Sequence, residues 1–375
     1  MVIESQLFGY VMLALLVALV VSFLASPLVK NFAYKVGAID VPKDARRMHK
    51  IPTPRLGGLA IFLGFMVSVI LFVPIRGDRE MQSILMGAVI IVVLGMVDDI
   101  MALPAMLKFV VQIVAATIPA MGGVRILAFS NPNIFSDELY WVLGNLSIPL
   151  TVLWIVAITN AVNLIDGLDG LANGVSAISA TTVLLIALMG NQVQVAMVMA
   201  ALVGACVGFM PYNLNPAKMF MGDTGATFLG YILATMSIQG LFKFYAVISF
   251  AVPFLILGLP IFDTAFAFIR RIAHGQNPMH ADRSHIHHRL IDMGLNQKQA
   301  VACLYVISAI LGLSAVVLTT GGEQRAMLFF GAMCVVAVVA ARVVFPKEVK
   351  EELLEELHEI TEHGHHPEEK KDEES

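Results

Sequence analysis

Ile84-Leu-Met-Gly-Ala-Val-Ile-Ile-Val-Val-Leu-Gly-Met-Val97 runs without a charge and stops on Asp98-Asp99. With its flanks the run covers 82–98, about the length a helix needs to cross the hydrocarbon core of a bilayer. Runs of the same kind recur at 7–28, 56–75, 104–121, 141–162, 174–190, 194–211, 223–240, 244–269, 298–319 and 326–345. The pattern predicts an all-α, polytopic membrane protein with about eleven transmembrane helices. Composition agrees: the 375 residues are 58% hydrophobic and 14% charged, whereas soluble domains are about a quarter charged. So much apolar surface needs lipid as its solvent.

Charge assigns the sides. With the N-terminus outside, the inside segments are 29–55, 99–103, 163–173, 212–222, 270–297 and the tail. Counting the border residues Lys108, Lys298 and Arg342 as inside, they hold all the Lys and Arg except Arg76, Arg79, Arg125, Lys243 and Arg325. This positive-inside bias predicts N-out, C-in. Residues 346–375 carry twelve Asp/Glu against four Lys/Arg. They divide the chain into a membrane-embedded domain, 1–345, and an acidic cytoplasmic tail, helical near Leu353–Ile360 and then disordered. Met1-Val-Ile-Glu4 lacks a basic leader, so the first span is expected to be an anchor and not a cleaved signal. Cys206, Cys303 and Cys334 stand singly in apolar stretches and suggest neither a disulfide nor a metal site.

The same alternation puts every chemically rich segment on the cytoplasmic side. Asp98-Asp99 suits a hard cation such as Mg²⁺, or one ligand and one base; the plain alternative is a charged helix stop. Asn160-Ala-Val-Asn163-Leu-Ile-Asp166-Gly167-Leu-Asp169-Gly170 spaces its amides and carboxylates by three, so on a continuing helix they would share one face. Polar groups at membrane depth are functional by default. In Asn213-Leu-Asn-Pro-Ala-Lys-Met-Phe220-Met-Gly222-Asp223-Thr224, Asp223 either caps a helix or ligates a metal, and the free N–H groups beyond Gly222 suit a diphosphate. His280-Ala-Asp-Arg283-Ser-His285-Ile-His287-His288-Arg289 reads as an anion clamp; its arginines argue against zinc. Segment 40–58, basic and rich in proline, offers Lys50 to a phosphate. Asp263 is a lone acid, either a satisfied core residue or part of the site. Carboxylates, amides, close-approach glycines and a cationic clamp are the parts of a phosphoryl-transfer site, with no Walker loop or kinase glycine loop.

These four motifs closely resemble the polyprenyl-phosphate N-acetylhexosamine-1-phosphate transferase family: Asp98-Asp99, N-A-V-N-L-I-D-G-L-D-G-L (160–171), M-F-M-G-D-T-G-A (219–226) and S-H-I-H-H-R-L (284–290). The likeness extends from P-R-L-G-G (54–58) to about residue 295. It implies transfer of GlcNAc 1-phosphate from UDP-GlcNAc to undecaprenyl phosphate, giving undecaprenyl-diphospho-GlcNAc and UMP, with Mg²⁺ or Mn²⁺. The form of the histidine motif resembles the UDP-GlcNAc branch. T-V-L-W-I-V-A-I-T-N-A (151–161), I-F-D-T (261–264) and A-D-R-S-H-I-H-H-R-L (281–290) look most like the Gram-positive enzymes that begin wall teichoic acid linkage units, a pattern from which the acidic tail departs. By the match Asp98, Asp99, Asp166, Asp169 and Asp223 are the catalytic acids, with Asp223 the principal metal ligand and Asp98 and Asp99 assisting. Lys50, Asn160, Asn163, Gly167, Asn213 and Phe220 resemble the nucleotide pocket, Phe220 placed to stack on uracil. His285, His287, His288 and Arg289 resemble sugar and diphosphate contacts. The implied setting is the cytoplasmic (inner) membrane with the site facing the cytosol. The partners are UDP-GlcNAc, undecaprenyl phosphate and the bilayer, with no nucleic acid; a homodimer is left open. Two rivals make different demands. A transporter or flippase of lipid-linked sugars would put charges mid-helix along a path, and a scaffold would tolerate loss of Asp98 and Asp223.

Overall fold

The computed structural model describes residues 2–41, 52–130, 140–242, 251–273 and 285–321, with residues 325, 329 and 331 singly. Apart from residues 329 and 331, the expected span 326–345 lies outside the described residues, as do the tail 346–375 and Lys50, His280, Asp282 and Arg283. The described chain is a helical bundle: α1 (Val2–Val36), α2 (Gly57–Phe72), α3 (Arg79–Met101), α4 (Ala105–Gly122), α5 (Ser147–Leu164), α6 (Leu171–Met189), α7 (Val193–Asn213) and α8 (Gly222–Ser237). Next come α9 (Ala251–Ile256), α10 (Gly258–Ala273), α11 (Ile286–Asp292) and α12 (Gln297–Gly321). Two short antiparallel ribbons connect them, β1 (Ile39–Asp40) with β2 (Thr53–Pro54) and β3 (Ala128–Ser130) with β4 (Tyr140–Val142). The chain is therefore a polytopic all-α membrane protein. Seven of the described helices are individually long and apolar enough to cross a bilayer.

The bundle has an inside and a lipid side. Every residue of α8 from Thr224 to Ser237 is buried, and α2, α3, α5 and α6 pack around it. α1 and α4 turn large apolar side chains outward, among them Leu24, Leu28, Met106 and Met121, as bilayer-facing helices do. Backbone meets backbone where α2 crosses α8. A Cβ on Gly58 would lie 2.0 Å from the Gly225 nitrogen, and small residues are how membrane helices approach this closely.

One expected span is broken. The described part of the run 244–269, from residue 251, yields α9 and α10, which part at Leu257. Pro260 stands in the first turn of α10, just past the break, where its missing N–H costs least. The expected continuation of α5 through Asp169 also stops short. The helix ends at Leu164, and residues 165–170 form consecutive turns into α6, where glycines 167 and 170 lower the helical propensity.

Candidate active site

Antiparallel packing brings the ends of five helices together: the C-termini of α3, α5 and α7 with the N-termini of α4 and α8. At this end Asp223 sits in the first turn of α8. Its Oδ1 accepts a hydrogen bond from Asn163 Nδ2 at 3.1 Å, and its Oδ2 lies 3.2 Å from Lys108 Nζ. The same ammonium is 3.0 Å from Asp98 Oδ2, and Asp98 Oδ1 accepts from the Leu103 N–H at 2.7 Å. Asp99 faces elsewhere. Its Oδ1 accepts from the Asp223 N–H at 3.0 Å, and its Oδ2 from the N–H and hydroxyl of Thr224 at 3.0 and 2.6 Å. Asp99 is thus the N-cap of α8 supplied from another helix, doing for that terminus what an adjacent Ser or Asp normally does. Gly222, at φ +71°, has no room for a side chain: a Cβ would meet Asp99 Oδ2 at 2.5 Å.

In front of this cluster opens a cavity of about 320 Å³. Asp99, Asp166, Gly167, Asp169, Asn213, Phe220, Asp223 and His288 line it, all expected from the sequence. Asp40, Arg55 and Gln297 line it too, and the sequence had not singled them out as site residues. The Phe220 loop is stitched to P-R-L-G-G by main-chain bonds, Phe220 N–H to Pro54 O at 2.8 Å and Gly57 N–H to Phe220 O at 2.9 Å. Asn213 is buried; its Nδ2 donates to Met219 O, and its Oδ1 has no partner among the described residues. Asp169 Oδ2 accepts from Asn215 Nδ2 and the Ala217 N–H, tying the 165–170 turn to the loop before α8. Tyr305 of α12 donates to Gly170 O at 2.6 Å and pins the same turn from behind. Asp166 projects from it with its carboxyl pushed up to about 8, first by burial and then by the negative charge of Asp223, Asp99 and Asp169.

The histidines divide their work. His285 Nδ1 pairs with Asp263 Oδ2 at 2.9 Å, and Asp263 Oδ1 accepts from the Ile286 N–H at 2.7 Å. Asp263 therefore anchors α11. His287 is buried between its neighbours, and burial, then the nearby His288, pushes its imidazole down to about 4. It thus favours its neutral form, and it is not among the residues that line the cavity. His288 reaches the cavity, and Arg289 stacks over Phe266 at 5.9 Å. Asn160 is not among the cavity-lining residues: its Nδ2 donates to Gln112 Oε1 at 2.7 Å and to Val156 O, joining α5 to α4 one turn from Asn163.

Lys108 was counted from the sequence only as a border charge, yet it bridges Asp98 and Asp223. A detectable signal existed. Lys108 and Gln112 are four apart in the apolar α4, hence on one face.

Among the described residues no three His, Cys, Asp or Glu side chains gather closely enough to hold a metal by themselves. The donor set nonetheless fits Mg²⁺, which prefers one or two carboxylates and keeps waters or substrate phosphates for its other positions. A cation already stands at the place: one ammonium touches both Asp98 and Asp223.

A glycosyl transferase family 4 model matches residues 81–241, which contain Asp98, Asp99, Asn163, Asp166 and Asp223. The chain is also 44% identical over 308 residues to a probable undecaprenyl-phosphate N-acetylglucosaminyl 1-phosphate transferase of Bacillus subtilis, covering 82% of this chain and 85% of that one. The chain belongs to glycosyl transferase family 4. A second relative, a decaprenyl-phosphate N-acetylglucosaminephosphotransferase of Mycolicibacterium smegmatis, is 31% identical over 355 residues, 86% of each chain. More distant is a phospho-N-acetylmuramoyl-pentapeptide-transferase of Staphylococcus aureus, 30% identical over 259 residues, 62% of this chain and 76% of its own. The matched span thus carries Asp98, Asp99, Asp166 and Asp223 at one end of the bundle, beside the cavity.

Proposed function

We propose that this family 4 enzyme transfers GlcNAc 1-phosphate from UDP-GlcNAc to undecaprenyl phosphate, releasing UMP, and that it does so at the cytoplasmic face of the cell membrane. The observation that carries this reading is the junction of Asp98, Lys108 and Asn163 with the cavity-lining Asp223, on helices whose 44% identical relative bears that activity in its name. An oxygen of the lipid phosphate attacks the phosphorus nearer the sugar. The bond from that phosphorus to the bridging oxygen breaks, and UMP leaves with the electron pair. The anomeric C–O bond is untouched.

The residues fit the roles. The partly exposed Phe220 ring at the cavity wall would stack on uracil. The unpartnered Asn213 Oδ1 would accept the uracil N–H, an interaction whose absence leaves a buried acceptor unsatisfied. Asp223 and Asp98 would hold Mg²⁺ or Mn²⁺, which when bound neutralises the diphosphate and the departing UMP. Asp99 would keep α8, and so Asp223, in place. His288 and Arg289 would meet the sugar and diphosphate. Little base catalysis is required, because the second pKa of a phosphate monoester is about 6. The positive-inside distribution supports a cytosolic site, where UDP-sugars are found. The motif likeness to enzymes that begin wall teichoic acid linkage units supports a surface polymer as the product's destination.

The test uses purified protein, UDP-[³H]GlcNAc, undecaprenyl phosphate and Mg²⁺. Label entering the lipid phase with release of UMP is expected. Release of UDP would mean transfer at the anomeric carbon and would overturn the proposal.

A further inference from the structure

Lys108 is the charge that the sequence did not announce. Its ammonium lies 3.0 Å from Asp98 Oδ2 and 3.2 Å from Asp223 Oδ2, its side chain is 30% exposed, and of these three residues Asp223 lines the cavity. The helix that carries it is held in register by a second polar contact one turn on, Gln112 Oε1 accepting from Asn160 Nδ2 at 2.7 Å. The position is therefore built, with α4 fixed to α5 and Asn163 of α5 fixed to Asp223. Two carboxylates that face one another in a partly desolvated place need a cation between them.

We infer that Lys108 is an internal counter-ion that competes with the divalent cation for Asp98 and Asp223, so that metal loading displaces its ammonium. The inference rests on the proposed assignment of these two acids to the metal. Both cations draw on the same oxygens, and those oxygens cannot give full contact to an ammonium and an inner-sphere metal at once. Lys108 stabilises the unloaded site and, by the same contacts, weakens the metal's hold. The enzyme would then bind its metal firmly only when a diphosphate adds its own oxygens. The alternative is that Lys108 assists the metal by fixing the carboxylates; it predicts the opposite sign.

The experiment measures Mn²⁺ binding by electron paramagnetic resonance on the full chain in detergent, without substrates. Lys108→Met and Lys108→Gln should each bind Mn²⁺ about tenfold tighter or more, as befits removing a unit charge a few ångströms away. Lys108→Arg, which keeps the charge, should stay near the wild type. Asp223→Asn added to each background should abolish the site. Asp223-dependent binding that is unchanged or weaker in both neutral variants overturns the counter-ion role and leaves the metal assignment standing. No Asp223-dependent binding in any of these proteins overturns the metal assignment, and the counter-ion role with it. A melting curve with and without Mn²⁺ guards against misfolding. The neutral variants should gain more from the ion than the wild type does, and an equal gain counts against the inference.

Discussion

Gly167→Ala tests whether the 165–170 turn and the histidine helix form one surface. A Cβ at Gly167 would stand 2.2 Å from His287 Nε2 and 2.9 Å from its Cε1. Ordinary contact begins near 3.4 Å, so the two must separate by about 1.2 Å, the difference between those distances. His287 cannot retreat. It is 2% exposed, its ring is 4.3 Å from that of His288 and 5.7 Å from that of His285, and His285 is tied to Asp263. The turn must give way instead, and it carries Asp166 and Asp169. Overpacking of this kind costs about 1–3 kcal/mol of stability, which a melting curve in detergent would show as a modest shift. A misplacement of about 1 Å among reacting groups costs on the order of a hundredfold in rate, so kcat/KM for UMP release should fall by about that factor. The double variant with His287→Ala separates cause from accident. With the ring removed, adding Gly167→Ala should cost little more than His287→Ala alone, because neighbours in contact are not additive. Gly167→Ala within about threefold of the wild type, or an equal penalty in the His287→Ala background, would refute the steric account.

Further outcomes follow from the same geometry. Asp223→Asn should lower turnover by about a hundredfold or more while the protein still folds, since one charge-stabilising group is lost; steady-state kinetics beside a melting curve check this. Asp263→Ala leaves the buried His285 and the first turn of α11 without their partner. It should cost about 2 kcal/mol or more and reduce kcat through the displaced His287 and His288, with Asp263→Asn recovering part of the loss. Asp166 favours its protonated form in the fold, its carboxyl standing near 8 against an ordinary value of about 4. The stability this gives is full below pH 4 and is lost as the pH rises through 8. In chelator-treated protein the melting temperature should therefore decline between about pH 4 and 8, and Asp166→Asn should flatten that decline. His287 has the reverse sign. Its depressed imidazole supports stability above about pH 6.5, and this is lost as the pH falls toward 4, so replacing it with Gln should soften acid unfolding over that window.

Membrane character and helix positions were legible because they are one-dimensional: an apolar run such as 84–97 declares itself without reference to any partner. The site was legible as a set of segments for a related reason. Polar residues at the ends of apolar spans are costly enough to be informative one at a time. What the sequence hid was pairing. Asn163 meets Asp223 across sixty positions, and Asp99 meets Thr224 across 125; nothing local in either segment specifies the other. Asn160 and Asn163 looked equivalent by spacing, yet one holds α4 in register and the other faces the cavity cluster. Lys108 was hidden by its single charge at the edge of a span, where a basic residue ordinarily reports only topology.

The adjacency of Asp98 and Asp99 carries a physical consequence that the motif alone conceals. Successive residues on an α-helix point about 100° apart, at 3.6 residues per turn, so two neighbouring carboxylates on a regular helix cannot present themselves equally to one ion. The structure divides them. Asp98 turns to Lys108 and the Leu103 N–H, and Asp99 turns to the main chain and hydroxyl at the start of α8. These three hydrogen bonds to the Asp99 carboxylate fix the turn that bears Asp223, so its removal would move the metal-type acid without removing a ligand. On the proposed metal assignment the pair is then one ligand and one brace. The two substitutions should differ in kind: Asp98→Asn should weaken Mn²⁺ binding directly, whereas Asp99→Asn should lower turnover and thermal stability together. In Asp99→Asn an amide N–H would have to face the N–H of Thr224 or Asp223, which no rotamer of the amide avoids. If Asp99→Asn kept wild-type stability and lost only Mn²⁺ affinity, Asp99 would be a ligand and this division of labour would be wrong.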